Sequence, residues 1–329
     1  MSLPGHGHTA KGGVMGHRVY QRVAAVAASA MLVASVVVSA TTSGAASHKT
    51  GWGQGAPYLA LGDSVAFGYT PPQTTPAATY ADAANFSSYA NDVAAALNLH
   101  LFNASCPGET TASMINVTAA SNGCENAPGQ TAGYRTAYPL HVSYTGSQLS
   151  YAVHFLRTHP ATRLVTIDIG ANDAFLCQET TTDGCLSLSE FGAVLKEIGT
   201  NLAIIYHALR VEGRYSGALV AVDYYALNYS QPLQVAESQQ LDATINAVTR
   251  QFHGIIANGF GMFQAAATPF GGDPCAAGLL VAYPASSNLT GCNIHPSPLG
   301  HELLATTIET ALLNVAPPLA ARVARRGRG

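Results

Sequence analysis

The amino-acid sequence predicts an α/β fold, a three-layer α/β/α sandwich around a mostly parallel sheet of five strands. The first indication is a set of short, continuous apolar runs, which are typical of strands buried on both faces. These runs are Tyr58–Leu61, His100–Ala104, Leu164–Ile169, Ala218–Val222 and Phe260–Gln264. The second indication is that longer segments of helical period separate the runs, which implies right-handed crossovers and helices on both faces. We therefore expect one domain over residues 57–316.

The longest predicted helix covers Leu188–Val211, where apolar residues recur at spacings of three and four. Ser187 and Glu190 have the spacing of a capping box at its start. Gly213 follows its end, where a left-handed cap is expected. The apolar stripe of this segment is therefore assigned to the core.

Two further helices have the same period. One is predicted over residues 241–255, and another over residues 149–156, which must end before Pro160. The segments Tyr69–Ala84 and Ala119–Val142 are rich in turn-forming and small residues, and we expect them to be surface excursions.

The charge pattern excludes a basic nucleic-acid surface. The chain has 329 residues, of which 48% are hydrophobic and 10% charged, so it has ample material for a packed core. Between residues 50 and 320 there are 7 Lys and Arg against 18 Asp and Glu, a formal charge of −11. Such a body repels phosphate backbones, so a neutral substrate fits better than a nucleic acid.

The N-terminal segment has the pattern of an export signal. Arg18 and Arg22 precede an uncharged run of Ala, Val, Met, Leu and Ser over residues 23–40, and small residues follow. We expect a signal peptide over residues 1–46, with Met15 as the more usual start, a linker over 47–56 and a basic, disordered tail over 317–329. A retained anchor is the alternative; cleavage would leave a secreted protein without a stable membrane span.

Six cysteines follow the signal-like segment, an even number that suggests three disulfides in an exported chain. Fifteen pairings are possible, and free buried thiols are the alternative. The cysteines form three close pairs along the sequence, and we expect these neighbours to be bonded: Cys106 with Cys124, Cys177 with Cys185, and Cys275 with Cys292. The spacing does not suit a zinc site. No phosphate loop and no dinucleotide fingerprint appear in the sequence, so no metal and no cofactor are expected.

Four short segments carry residues that suit chemistry, three of them directly after predicted strands, where ligands of parallel sheets collect. They are Gly62-Asp63-Ser64, the loop that contains Gly108, Gly170-Ala171-Asn172-Asp173, and His295-Pro296. Each has an ordinary alternative, because Ser64 could cap a helix, Asn172 is a common loop residue, and a lone histidine is more often structural. The four together favour a site.

These segments resemble the conserved blocks of the SGNH hydrolases, also called GDSL-type esterases and lipases. The resemblance spans residues 62–301 and implies a flavodoxin-like sandwich. It implies that Ser64 attacks an acyl carbonyl and that His295 takes its proton. It also implies an oxyanion hole formed by the main-chain N–H groups of Ser64 and Gly108 and by the Asn172 side chain.

One position departs from the family pattern. Cys292 stands where the family usually has an aspartate, three residues before the histidine. Because similar secreted members use a main-chain carbonyl, we expect the Cys292 carbonyl to orient His295, with Asp273 as the second candidate. His301, Asp168 and Asp173 are expected to be structural.

The functional hypothesis is a secreted, monomeric serine esterase or lipase that acts on a small-molecule or lipid ester through an acyl-serine intermediate. Tyrosines of the surface excursions and their borders are candidates for the wall of an acyl pocket: Tyr80, Tyr134, Tyr138 and Tyr144. The alternatives are a carbohydrate acetyl esterase, which needs a shallow polar site, and a catalytically silent cell-wall binding protein of the same fold.

Overall fold

A computed structural model describes residues 52–315 and places a five-stranded, wholly parallel sheet at the centre of the molecule. The strands run in the spatial order β2-β1-β3-β4-β5. Their bounds are β1 Pro57–Gly62, β2 His100–Asn103, β3 Leu164–Asp168, β4 Ala218–Val222 and β5 Ile255–Ala257. The side chains of β3 are all buried, as its continuous apolar run requires.

Ten α-helices are found among the described residues. They are α1 Ser64–Phe67, α2 Tyr89–Leu97, α3 Thr111–Ile115, α4 Tyr134–Ala137, α5 Gln148–Thr158, α6 Ala171–Thr180, α7 Leu188–His207, α8 Pro232–Gln251, α9 Gly259–Ala267 and α10 Pro298–Val315. Helix α7 packs against α8, and α2 packs against α10, so helices cover both faces of the sheet. The predicted three-layer sandwich is confirmed.

The fifth predicted strand is wrong, whereas the other four are confirmed. Phe260–Gln264 lies inside α9, because the Asn258 side chain accepts a hydrogen bond from the N–H of Gly261 and so caps a helix there. The fifth strand is instead β5, which our sequence analysis had joined to the preceding helix. That helix, α8, ends at Gln251, and His253 has a φ of +54°, which turns the chain away.

Both predicted caps of the long helix are wrong. The Ser187 hydroxyl bonds Ser189 rather than a backbone N–H, so the capping box does not form. At the other end a π-helical turn over Ala208–Glu212 extends the helix, and Gly213 keeps a right-handed conformation. The left-handed residue is Arg214, with φ of +55°.

An antiparallel hairpin lies outside the main sheet and was not predicted. It consists of β6 Leu280–Ala282 and β7 Cys292–Pro296. A disulfide ties the start of β7 to the preceding loop at Cys275.

The three predicted disulfides are present. Cys106–Cys124, Cys177–Cys185 and Cys275–Cys292 have Cα separations of 5.6, 5.5 and 5.6 Å. The predicted signal peptide over residues 1–46 and the predicted tail over 317–329 lie outside the described residues. Within residues 52–315, no helix is both long and apolar enough to cross a bilayer.

Candidate active site

Ser64 begins the short helix α1 directly after β1, at the carboxyl edge of the sheet. Ser64 is 8% exposed. The cap of this helix is Asp63, whose Oδ1 accepts from the N–H of Val65 at 2.9 Å. The ordinary alternative for Ser64, that it merely caps the helix, is therefore excluded.

Gly62 allows the end of β1, just before Ser64, to lie tightly against β3. Its φ is +127°, and a Cβ there would lie 2.1 Å from the main-chain oxygen of Asp168. In this close approach the Asp63 N–H donates to that same oxygen at 3.1 Å. A side chain at position 62 would push the segment that carries Ser64 away from the sheet.

Gly108 meets a second loop just as closely. Its φ is +82°, and a Cβ would lie 2.5 Å from the main-chain oxygen of Asn122. The Asn122 N–H donates to the Gly108 carbonyl at 2.8 Å, and the Cys106–Cys124 disulfide ties the same two loops together. The loop that contains the Gly108 N–H is thus fixed by a hydrogen bond and a disulfide.

Asn172, near the start of α6, joins these two segments. Its Nδ2 donates to Asp63 Oδ2 at 3.1 Å, and its Oδ1 accepts from Asn122 Nδ2 at 3.2 Å. The amide is thereby oriented, and one of its two N–H bonds remains for a ligand. A continuous chain of hydrogen bonds therefore connects the segments of Ser64, Asn172 and Gly108.

Two buried carboxyl groups, those of Asp63 and Asp168, lie next to the segment that carries Ser64. Burial raises the pKa of Asp63, although the Tyr224 hydroxyl donates to its Oδ2 at 2.6 Å and favours the anion. Burial and the charge of Asp63 together raise the pKa of Asp168 well above its usual range. We therefore assign the proton of this pair to Asp168 and the negative charge to Asp63. The predicted structural role of Asp168 fits this arrangement.

Asp173 and His301 also have structural contacts. Asp173 Oδ2 accepts from the N–H of Thr111 at 2.9 Å, at the start of α3. Burial raises the pKa of Asp173 to about 7. His301 Nδ1 accepts from the N–H of Tyr89 at 3.3 Å, and burial lowers the pKa of His301 to about 4.

His295 lies on β7 and is held by Asn293, a residue that our sequence analysis missed. The ring Nδ1 hydrogen bonds to Asn293 Oδ1, which also accepts from the His295 main-chain N–H at 3.2 Å. Asn293 Nδ2 donates to the Tyr283 hydroxyl at 3.2 Å, which fixes the orientation of the amide. Because an amide oxygen only accepts, Nδ1 carries the hydrogen and Nε2 is left as the basic atom.

The expected orienting groups are therefore corrected. Nδ1 bonds the Asn293 side chain rather than the Cys292 carbonyl, because Asn293 lies two residues before the histidine and its short side chain folds back onto the ring. Asp273 instead accepts from the N–H groups of Cys275 and Ala276 at 2.8 and 3.2 Å, in a turn.

Burial keeps the imidazole of His295 neutral. Burial, and to a lesser degree the neighbouring His301, lower the pKa of His295 to about 3. A neutral ring is the form that accepts a proton from a serine. At neutral pH the ring therefore keeps a free lone pair on Nε2.

The elements carrying the serine and the histidine are in contact. Helix α1 packs against β7, and the Tyr69 ring lies 5.0 Å from the His295 ring, edge to face. Within residues 52–315, neither Ser64 Oγ nor His295 Nε2 makes a hydrogen bond, so both atoms are without a protein partner there.

An aromatic cluster extends from Tyr69 away from the histidine. Tyr69 itself is half-buried, and the buried aromatic members are Phe67, Tyr80, Phe86 and Tyr134. Tyr138 packs on Tyr80 and is 41% exposed. Three of the four predicted wall tyrosines thus lie together, whereas Tyr144 packs instead on Tyr151 and Arg135.

Among the described residues, one group of three side chains has the donor types of a metal site: Cys106, Glu109 and Cys124. The two sulfurs are joined in a disulfide, which leaves a single carboxylate. That carboxylate accepts a hydrogen bond from Gln148 Nε2 at 3.0 Å. This cluster therefore does not fit a metal ion.

Comparison with known proteins identifies the family and the fold. The model of the GDSL-like lipase/acylhydrolase family matches residues 60–303. Phospholipase A1 from Streptomyces albidoflavus NA297 has a similar fold, with 16% identity and a TM-score of 0.51 over 78% of this chain and 99% of that one. A variant of Axe2, an acetyl xylan esterase from Geobacillus stearothermophilus, aligns with 14% identity and a TM-score of 0.45 over 79% and 95%. No curated protein matches by sequence.

The matched region begins within β1, just before Ser64, and ends in α10, after His295. It contains Ser64, Gly108, Asn172 and His295, the four positions that the sequence motifs singled out. Because the family model covers well over half of the chain, this protein belongs to the GDSL-like lipase/acylhydrolase family and is a carboxylic ester hydrolase.

Proposed function

We propose that this chain is an exported serine esterase or lipase in which Ser64 is the nucleophile and His295 the general base. The observation that carries the proposal is the hydrogen-bond chain from Asp63 through Asn172 to Asn122, which joins three distant segments beside the nucleophile. The contact of α1 with β7 brings the strand of His295 next to the helix of Ser64.

The reaction follows from these roles. Ser64 Oγ attacks the ester carbonyl carbon while its proton passes to His295 Nε2, and the tetrahedral oxyanion accepts from the N–H groups of Ser64 and Gly108 and from Asn172 Nδ2. Collapse of the intermediate breaks the carbon–oxygen bond, and the leaving alcohol takes the proton from His295. Water then attacks the acyl-serine with the same base, which releases the acid and restores the serine.

In this mechanism Asn293 holds the imidazole through both steps. Its Oδ1 accepts from Nδ1 in the neutral ring and in the imidazolium, so the ring orientation is kept when the proton arrives. An amide oxygen carries only a partial charge and stabilises the imidazolium less than a carboxylate does. The catalytically silent binding protein was an alternative because the family's aspartate is missing at position 292. Asn293 supplies another acceptor for Nδ1, which weakens that alternative.

Replacing Asn172 by alanine tests the oxyanion hole. We expect turnover to fall about 10²- to 10³-fold with little change in KM, because the lost donor acts on charge that develops in the transition state. Steady-state kinetics with a soluble ester measure this. Asn116→Ala, the same change at an exposed asparagine, is the control and should remain close to wild type. A mainly KM effect would place Asn172 in substrate binding instead.

For the substrate class, we propose an ester with an apolar acyl chain rather than an acetylated sugar. The half-buried Tyr69 ring packs on the His295 ring and on a buried aromatic cluster whose exposed edge is Tyr138, so the side chains beside the histidine are aromatic rather than charged. Apolar acyl groups gain from such a surface, whereas a sugar needs polar partners.

A panel of nitrophenyl esters from acetate to palmitate, run beside acetylated xylo-oligosaccharides, tests this choice. We expect kcat/KM on butyrate or longer esters to exceed that on the acetylated sugar by at least about tenfold, the scale set by added methylenes in an apolar pocket. Faster acetate release from the sugar would instead support the carbohydrate acetyl esterase.

Export is supported by the signal-like segment together with three disulfides, which persist in oxidising compartments. We propose cleavage near residue 40 or residue 46. Mass spectrometry of the N-terminal peptide of protein recovered from culture medium tests this, and an intact segment retained in the cell membrane fraction would contradict it.

A further inference from the structure

A polar cavity of about 350 Å³ lies at the carboxyl ends of β4 and β5, apart from the reacting groups. Asp223 follows β4 directly, and Asn258 follows β5. Helix α8 contributes Asp242 and Asn246, which are four residues apart and so lie on one face of the helix. Two elements of the sheet edge and one helix thus direct oxygen-bearing side chains to one place.

Three oxygens of this cluster are buried without a hydrogen-bond donor. They are Asp223 Oδ1, Asp242 Oδ2 and Asn246 Oδ1, none of which accepts a hydrogen bond from the described residues. The Asn246 side chain nevertheless lies near enough to Asp223 to lower the pKa of that carboxyl. The Asp223 and Asp242 side chains belong to residues that are each only 5% exposed. Buried carboxylate oxygens without a donor or a cation are costly, and they are therefore rare.

The cluster is held in place by the backbone. Asp242 Oδ1 accepts from the N–H of Tyr224 at 2.9 Å, and Tyr224 follows Asp223 in the chain. This bond brings the Asp242 carboxylate to the end of β4 and leaves its Oδ2 as the unpartnered atom. Two carboxylates are thereby kept near each other although like charges repel.

We propose that Asp223, Asp242 and Asn246 form a Ca²⁺ site that joins the end of β4 to α8. Ca²⁺ takes carboxylate and amide oxygens in flexible geometry and accepts water for the remaining positions, whereas Mg²⁺ demands a near-ideal octahedron. The site is independent of the proposed substrate class.

Charged side chains surround the cavity. Burial raises the pKa of Asp223 to about 7, although the Asn246 side chain and the charge of Arg250 favour its anion. Burial and the charge of Asp223 raise the pKa of Asp242 to about 9. Arg250, on the same helix, lines the cavity but forms no ion pair with either acid in the described part of the chain. The two acids repel each other when both are ionised, and a bound cation would relieve that repulsion.

Occupancy of the site would stabilise the nucleophile loop from a distance. The hydroxyl of Tyr224 donates to Asp63, the residue beside Ser64, and the main-chain N–H of the same tyrosine bonds Asp242. We therefore expect Ca²⁺ chiefly to raise thermal stability, with catalysis intact at low temperature in its absence.

Calorimetric titration of Ca²⁺ into chelator-treated full-length protein at pH 8, with thermal unfolding in parallel, tests the proposal. We expect one ion per chain with a Kd of roughly 0.1–1 mM, as in extracellular modules, and a higher Tm at saturation. Asp223→Asn and Asp242→Asn should each bind at least about tenfold more weakly. Glu237→Gln, which removes a charge from the same helix outside the cluster, should bind like wild type.

The titration of the wild-type protein tests whether Ca²⁺ binds, even if an acid variant fails to fold. No saturable heat and no change in Tm with Ca²⁺ would overturn the proposal and leave a proton-sharing acid pair. Asn variants that bind as tightly as wild type would also overturn it, because the ion would then lie elsewhere. Stronger binding of Mg²⁺ than of Ca²⁺ would contradict the choice of ion.

Discussion

Ser64→Ala is expected to lower kcat for ester hydrolysis by about 10⁶-fold, the size seen when a serine nucleophile is removed. The oxyanion donors and the histidine remain, but no covalent intermediate can form. The loss should appear in kcat with the same substrate affinity, because the hydroxyl contributes little to ground-state binding. Single-turnover kinetics with a nitrophenyl ester measure the loss without interference from product release.

Ser189→Ala provides the matched control, since it makes the same chemical change at an exposed hydroxyl. It should retain wild-type turnover. If Ser64→Ala keeps more than a few per cent of wild-type activity with the correct fold, the nucleophile is another group.

Asn293→Ala is expected to lower kcat by roughly 10- to 100-fold, the equivalent of losing one hydrogen bond to a charged group. The reason is that the imidazolium formed in the transition state loses the acceptor at Nδ1. KM should change little, because Asn293 reaches substrate only through His295. Asp273→Asn, at the acid that the sequence offered as an alternative orienter, should retain kcat within about twofold.

Asn293→Asp separates orientation from packing. A carboxylate at this position would stabilise the imidazolium and raise the pKa of His295, which burial now holds at about 3. The acid limb of the pH profile of kcat/KM should therefore move to higher pH, while kcat at neutral pH recovers relative to Asn293→Ala. An unchanged acid limb in the aspartate variant would show that Asn293 only fills space beside the ring.

The sequence was sufficient for four of the five strands, because burial on both faces of a sheet produces continuous apolar runs. Leu164–Asp168 is fully buried and reads as a continuous apolar run, so its prediction as a strand was confirmed. Ile255–Ala257 has only three residues and follows a helical stripe without a break, so its apolar side chains fit both interpretations. The Asn258 cap that begins α9 directly after this strand depends on one side-chain hydrogen bond.

Positions of the candidate site could be predicted where the backbone needs a special residue. Gly62 and Gly108 have positive φ and face another main chain too closely for a Cβ, so the motif glycines follow from packing. Asn172 could be named from its motif, but its orientation could not. Asn122 lies 50 residues away, and Tyr224, which holds Asp63, lies 161 residues from it.

The group that holds His295 could not be predicted because the usual spacing misled the search. The family pattern directs attention three residues before the histidine, to Cys292, whereas the bonded side chain lies two residues before it. A short side chain at that position can fold back because the Cys275–Cys292 disulfide and the hairpin fix the strand. The available signal was an asparagine in Asn293-Ile294-His295, next to a histidine already singled out.

The most direct test of the convergence of Ser64, His295 and the oxyanion donors is labelling with a fluorophosphonate, read by peptide mass spectrometry. The account predicts one adduct per chain, on Ser64, which disappears in Ser64→Ala and slows strongly in His295→Ala. A folded wild-type protein that carries no adduct on Ser64, or an adduct on a different serine, would contradict it.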